Sequence, residues 1–97
     1  MTREENLQLL RELCLEFGPT GCEKRVAELI ISKLGGLEYK KDRLGNIIVR
    51  IPKENAPKLM VSAHMDEVGF IINEITEDGY LKFTTILVVV KQNCNTL

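Results

Sequence analysis

Hydrophobic residues recur at helical spacing near the start of the chain. The pattern predicts an amphipathic helix over residues 2–17, and Thr2 and Glu5 have the spacing of a capping box. Gly18 and Pro19 are expected to stop this helix. Its apolar stripe consists of Leu7, Leu10, Cys14 and Phe17, widened by Leu9 and Leu13. Because such a stripe normally packs against a core, we expect this face to be buried.

A second helix is predicted to begin near Gly21. Thr20 and Glu23 form another capping-box pattern, and Gly35-Gly36 marks the end of the helix. Its buried face is expected to contain Val26, Leu29, Ile30 and Leu34. The tight turn between the two helices indicates that they pack against each other or against the same sheet.

The hydrophobic period changes to two from Leu37 onward, which is typical of β-strands. The predicted strands are residues 37–42, 46–51, 58–63, 68–75 and 80–84, and the run 86–90 is also β-prone. Gly45-Asn46 and residues 77–79 supply the turns of two hairpins. The apolar run 58–63 is expected to be an interior strand that is buried on both faces. We therefore predict an α/β fold in which two N-terminal helices pack on a mixed sheet.

The composition is that of an ordinary globular chain, with 44% hydrophobic and 28% charged residues. Its 97 residues are enough for one domain and too few for two. A net charge of -1 and an aromatic content of 5% give no surface for nucleic acid or for a membrane. No signal peptide is visible and the longest apolar run is too short to span a bilayer, so we expect a cytoplasmic protein. Cys14, Cys22 and Cys94 form no Cys-x-x-Cys pair and are predicted to be reduced thiols.

The only histidine, His64, ends the apolar run and stands two residues before Asp66. Ligands of open α/β sheets collect at the carboxyl ends of strands, where a histidine can offer a neutral ring nitrogen to a divalent metal. Asp66 is placed to accept a hydrogen bond from the other ring nitrogen, which would fix the tautomer. Three roles stay open for Glu67: a metal ligand, a catalytic base or a solvated side chain. From spacing alone, His64 is either a metal ligand or a hydrogen-bonded histidine at the end of a strand. The second is the more frequent role of a lone His-x-Asp pattern, and both interpretations stay open.

Three ordered motifs point to one family. They are Gly18-Pro-Thr-Gly-Cys-Glu23, Asp42-Arg-Leu-Gly-Asn46, and Ala63-His-Met-Asp-Glu-Val-Gly-Phe70 with Asp78-Gly-Tyr-Leu81 after it. Over residues 3–84 the chain resembles the clan MH metallo-aminopeptidases of the glutamyl aminopeptidase and tetrahedral aminopeptidase family, relatives of which are labelled cellulase M or endoglucanase. The resemblance implies that residues 1–84 are the N-terminal part of an aminopeptidase catalytic domain, a truncated piece of a phosphorylase/hydrolase-like zinc-peptidase fold. Residues 85–97 are then a divergent C-terminal tail.

The resemblance also implies roles for single residues. His64 matches a metal-binding histidine, and Asp66 matches the catalytic aspartate that orients this histidine. Asp42, Gly45 and Asn46 match a motif with a structural role. In the family, two zinc or cobalt ions activate a water that attacks a peptide bond, so that N-terminal residues are released. The chain has no second histidine, so we predict at most one weak partial metal site and no activity of the chain alone.

Two other functions stay open. The same fold can serve as a non-catalytic association or regulatory module, which would explain the missing ligands. A glycosidase activity is suggested only by the old family label. Glycoside hydrolysis needs two carboxylates on either side of a cleft, whereas adjacent carboxylates such as Asp66 and Glu67 point to opposite faces of a strand. As partners we predict a peptide substrate and further copies of the chain, since a partial sheet exposes apolar edges.

Overall fold

The computed structural model describes residues 1–86. These residues form two helices followed by two antiparallel hairpins, so the described part of the chain is an α/β structure. The elements are α1 (Arg3–Leu15), α2 (Lys24–Ser32), β1 (Tyr39–Lys41), β2 (Ile47–Val49), β3 (Phe70–Ile75) and β4 (Leu81–Thr85). Beyond Ile86, the β-prone run 86–90 lies outside the described residues, as does Cys94. Among the described residues, Cys14 and Cys22 are exposed and form no disulfide with each other. That the cysteines are reduced thiols stays a prediction.

Helix α1 begins at the predicted capping box. The Glu5 N–H donates to Thr2 Oγ1 at 3.2 Å, and the Thr2 N–H donates to Glu5 Oε2 at 2.7 Å. The expected burial of its apolar stripe is wrong for the described residues, among which Leu7 and Leu10 of α1 are 55% and 57% exposed. The stripe predicts which face would be buried, but nothing in this part of the chain covers it. An ion pair between Lys33 and Glu12, 2.9 Å long, links the end of α2 to α1.

Helix α2 carries the small core of the described residues. Val26 is 6% exposed and Ala27 is 2% exposed. The capping box predicted at Thr20 is wrong, since Glu23 Oε1 accepts the Gly21 N–H at 2.7 Å and α2 has Glu23 as its N-cap residue, without a side-chain capping hydrogen bond within residues 1–86. The Thr20 hydroxyl donates to Asp66 Oδ2 at 2.8 Å instead, and the helix begins at Lys24.

The first hairpin pairs β1 with β2 around the Asp42 turn, with Tyr39 opposite Val49. The Asp42 carboxylate accepts the N–H groups of Leu44 and Asn46 at 3.0 and 2.9 Å, and the Asn46 side-chain amide at 2.7 Å. These hydrogen bonds, the one from the Asn46 side chain above all, hold the pKa of Asp42 below its usual value. The contacts agree with the structural role predicted for this motif.

The second hairpin pairs β3 with β4, as the sequence predicts. The rings of Phe70 and Phe83 meet edge to face, with centroids 4.7 Å apart and planes at 67°. Lys82 and Glu74 form a 2.9 Å ion pair across the strands. Gly79 has a φ of 85°, a left-handed conformation that allows the tight turn.

The predicted mixed sheet is wrong for the described residues. Both pairings are antiparallel, and they belong to two separate two-stranded sheets. Residues 58–63 form no strand, and the side chains expected to be buried are exposed: Leu59 by 89%, Met60 by 86% and Val61 by 87%. An interior strand needs a hydrogen-bonded neighbour on each side, and none of residues 1–86 pairs with this segment.

Neither described helix has the length and apolar character needed to cross a bilayer.

Candidate functional site

The turn between the helices is held against the segment that follows His64. The Glu67 N–H donates to the Gly18 carbonyl at 2.9 Å, and the Thr20 N–H donates to the Glu67 carbonyl at 3.2 Å. These two bonds form an isolated parallel bridge between Pro19 and Glu67. The turn thereby places Thr20 beside Asp66, although the two residues are 46 positions apart.

Asp66 is bonded on both sides of its carboxylate. The Thr20 hydroxyl donates to Asp66 Oδ2 at 2.8 Å. His64 Nδ1 lies 3.1 Å from Asp66 Oδ1 and 3.0 Å from the Asp66 backbone carbonyl oxygen. Because a carbonyl and a carboxylate only accept hydrogen bonds, Nδ1 must carry the proton, and the lone pair of the neutral ring lies on Nε2. The hydrogen bond that the sequence predicts between these two side chains is therefore present.

The electrostatics of the pair favour a charged Asp66. The Thr20 hydroxyl is the main cause that lowers the pKa of Asp66 below its usual value, and nearby His64 lowers it further, whereas partial burial opposes the shift. Asp66 is therefore ionised at neutral pH and can accept from both partners. The His64 side chain is 84% exposed, against 28% for that of Asp66, so its ring remains open to a ligand.

An open groove of about 440 Å³ runs past the pair. Its walls are the start of α2, the turn after β1 and residues 63–66. Lys24, Lys41 and Arg43 line it together with His64 and Asp66. Glu23 also lines the groove, which therefore combines one imidazole, two acidic residues and three basic residues, a set that can hold a polar ligand.

The donor atoms present fit one metal ligand with its orienting carboxylate. Within residues 1–86, no group of three or more His, Cys, Asp or Glu side chains is close enough to hold a metal ion. His64 matches a nitrogen ligand whose second ring nitrogen is fixed by a carboxylate, an arrangement that metal-binding histidines almost always have. Glu67 enters the bridge through its backbone, and its side chain is exposed.

Thr20 is the site residue that the sequence did not predict. Its spacing to Glu23 is that of a helix cap, and this local pattern suggested a different partner. A hydrogen bond across 46 positions leaves no periodic signal in a single sequence. The only indication is that Thr20 belongs to the first of the three motifs, whose third contains Asp66.

Comparison with known proteins places the chain in a family. The model of the M42 glutamyl aminopeptidase family matches residues 45–94, about half of the chain. The chain therefore belongs to the M42 glutamyl aminopeptidase family, a family of metal-dependent aminopeptidases, as its motifs predict.

Individual relatives agree with this assignment. The chain is 40% identical to FrvX of Escherichia coli (strain K12) over 83 residues, which cover 84% of this chain and 23% of FrvX. It is 38% identical to the lysyl aminopeptidase of Pyrococcus furiosus over 82 residues, which cover 81% of this chain and 23% of the relative. It is 42% identical to the glutamyl aminopeptidase of Lactococcus lactis subsp. cremoris over 64 residues, 62% of this chain and 18% of the relative.

The chain thus spans about a quarter or less of the length of these curated relatives. No solved structure matches the chain. The lysyl and glutamyl relatives are named for aminopeptidase activity, and they give the cellulase M or endoglucanase label no support.

Proposed function

We propose that this chain supplies one metal-binding histidine, His64, and its orienting carboxylate, Asp66, to an aminopeptidase that removes N-terminal residues from peptides. The observation that carries the proposal is the Nδ1–H bond to Asp66, which leaves the Nε2 lone pair of an 84% exposed ring available. Membership of the family supports the same function. When bound, zinc or cobalt ions supply the polarisation of the peptide carbonyl and the activation of a water.

In this proposal, the residues of this chain contribute by holding the metal-binding histidine in the required orientation and tautomer. Asp66 keeps the proton of His64 on Nδ1 and raises the basicity of Nε2. A two-metal centre requires further ligands, which in this proposal come from residues outside 1–86. Residues 1–84 then form the N-terminal part of the catalytic domain, with the phosphorylase/hydrolase-like zinc-peptidase fold, and residues 85–97 are a divergent tail. A cytoplasmic location stays a prediction.

A chimera tests the proposal on activity. Residues 1–86 of this chain replace the equivalent segment of the Pyrococcus furiosus lysyl aminopeptidase, to which the chain is 38% identical. We expect metal-dependent hydrolysis of aminoacyl anilides, lost in His64→Ala and strongly reduced in Asp66→Asn. Glu54→Gln removes an exposed carboxylate outside the groove and should leave the activity unchanged. A folded, metal-loaded chimera that is inactive, or that is as active with His64→Ala, would contradict the proposal.

The isolated chain offers a second test. A single imidazole oriented by a carboxylate holds zinc only weakly, so calorimetry should show weak binding that His64→Ala abolishes and Glu54→Gln retains. The chain alone should not hydrolyse aminoacyl anilides with added zinc or cobalt. Hydrolysis at a rate near that of a full-length relative would show that further ligands are not needed.

Exposed apolar side chains favour a second candidate, self-association. Leu59, Met60 and Val61 are between 86% and 89% exposed in one continuous segment. We propose that copies of the chain associate through this segment, as a non-catalytic association module would. Sedimentation at micromolar concentration should give a species larger than a monomer, and Met60→Lys should reduce its size. A monodisperse wild-type monomer would contradict self-association.

A further inference from the structure

We propose that Thr20 is a positioning residue: its hydroxyl holds the Asp66 carboxylate in the orientation that fixes the tautomer of His64. The inference rests on the proposed function, because Thr20 acts on the same pair of residues. It goes further by assigning a role to a residue of the first motif. Its consequence is that the turn between the helices controls which ring nitrogen of His64 is available.

The two oxygens of the Asp66 carboxylate have different hydrogen-bond partners. Oδ2 accepts from the Thr20 hydroxyl at 2.8 Å, and Oδ1 lies 3.1 Å from His64 Nδ1. A carboxylate is planar, so fixing one oxygen also limits where the other can point. Thr20 itself is held by its backbone, whose N–H donates to the Glu67 carbonyl at 3.2 Å. The hydroxyl is therefore a fixed donor, and Asp66 is oriented relative to the turn.

Other roles of Thr20 are less consistent with its contacts. It does not cap α2, because that helix begins at Lys24 and its N-cap residue is Glu23. Its second contact, to the Glu67 carbonyl, is 3.5 Å long and adds little. The short bond to Asp66 is the contact that depends on the hydroxyl. Without it, the Asp66 backbone carbonyl would be the one fixed partner of the exposed His64 ring within residues 1–86.

The test is nitrogen NMR of His64, whose signals are unique because the chain has one histidine. The spectra are recorded at about pH 8 without metal or substrate. The wild-type chain should show a protonated Nδ1 and an unprotonated Nε2. Thr20→Val keeps the β-branched shape and removes the hydroxyl, and we expect it to shift the tautomer ratio toward Nε2–H by about fivefold. Thr20→Ser keeps a hydroxyl and should retain the wild-type ratio.

Thr84→Val is the matched control, because it removes a hydroxyl that accepts from Asn73 in the second hairpin and lies outside the groove. It should leave the His64 signals unchanged. An unchanged ratio in a folded Thr20→Val variant, or a loss in Thr20→Ser equal to that in Thr20→Val, would overturn the inference. If the Thr20→Val variant fails to fold, the inference is tested on the wild-type chain instead. Nuclear Overhauser contacts between the Thr20 and Asp66 side chains, together with a protonated Nδ1, support the inference, and their absence overturns it.

The result of the tautomer measurement does not depend on whether the proposed function is correct. The tautomer is measured without metal, so a chain that fails to bind zinc can still show the effect of Thr20. Conversely, a chain that binds zinc through His64 can show no effect of Thr20, which would remove this inference and leave the proposed function intact.

Discussion

The contact between Gly18 and α2 is too close to admit a methyl group. A Cβ atom at Gly18 would lie 2.5 Å from Val26 Cγ2 and 3.6 Å from Val26 Cβ. Val26 is 6% exposed, and a β-branched side chain in a helix has one strongly preferred rotamer, so it cannot swing away. Gly18→Ala must therefore displace either the turn or α2.

The expected size of the effect combines two opposing contributions. Overpacking of this kind costs about 1–3 kcal/mol, whereas replacing glycine by alanine stabilises by about 0.4–1 kcal/mol through the unfolded chain. We expect Gly18→Ala to lower the free energy of unfolding by about 1–2 kcal/mol, measured by urea denaturation followed by circular dichroism.

Val26→Ala supplies the matched background, because it removes the methyl group that the new Cβ would meet. In that background, Gly18→Ala should be neutral or stabilising by up to about 1 kcal/mol. A double-mutant cycle isolates the steric coupling from all other effects of either change. If Gly18→Ala changed the free energy of unfolding equally in both backgrounds, the steric explanation would be refuted.

Three further predictions concern local structure. Thr2→Ala should lower the free energy of unfolding by about 1 kcal/mol through loss of the α1 cap, whereas Thr2→Ser should not; equal stabilities in urea denaturation would contradict this. The pKa of Asp42 is lowered in the folded chain, so the stabilisation from its carboxylate is present above the ordinary pKa of about 3.9 and lost as pH falls through the folded value. The stability difference between wild type and Asp42→Ala should shrink in acid, and a growing difference would contradict the sign. Gly79→Ala should destabilise the second hairpin by about 1–2 kcal/mol because φ is 85°, and Gly79→Asn should cost less; amide exchange in β3 and β4 measures both.

The features that the sequence predicts well are local. The α1 cap, the Asp42 turn and the second hairpin depend on residues a few positions apart, and each is present. The hydrogen bond between His64 and Asp66 was predictable for the same reason, since two positions separate these residues.

The features that the sequence does not predict depend on distant partners. Residues 58–63 have the apolar pattern of a buried strand, but burial requires neighbouring strands that residues 1–86 do not supply. Thr20 has the pattern of a helix cap, but its hydroxyl finds a stronger acceptor in ionised Asp66. In both cases a tertiary contact, or its absence among the described residues, overrides the local preference.

A zinc titration of the wild-type chain, followed by nitrogen NMR of His64, tests the metal-binding role most directly. If His64 offers Nε2 to the metal while Asp66 holds Nδ1, the Nε2 signal should move on addition of zinc and Nδ1 should keep its proton. Loss of the Nδ1 proton, or zinc binding that leaves the His64 signals unchanged, would contradict the proposed site.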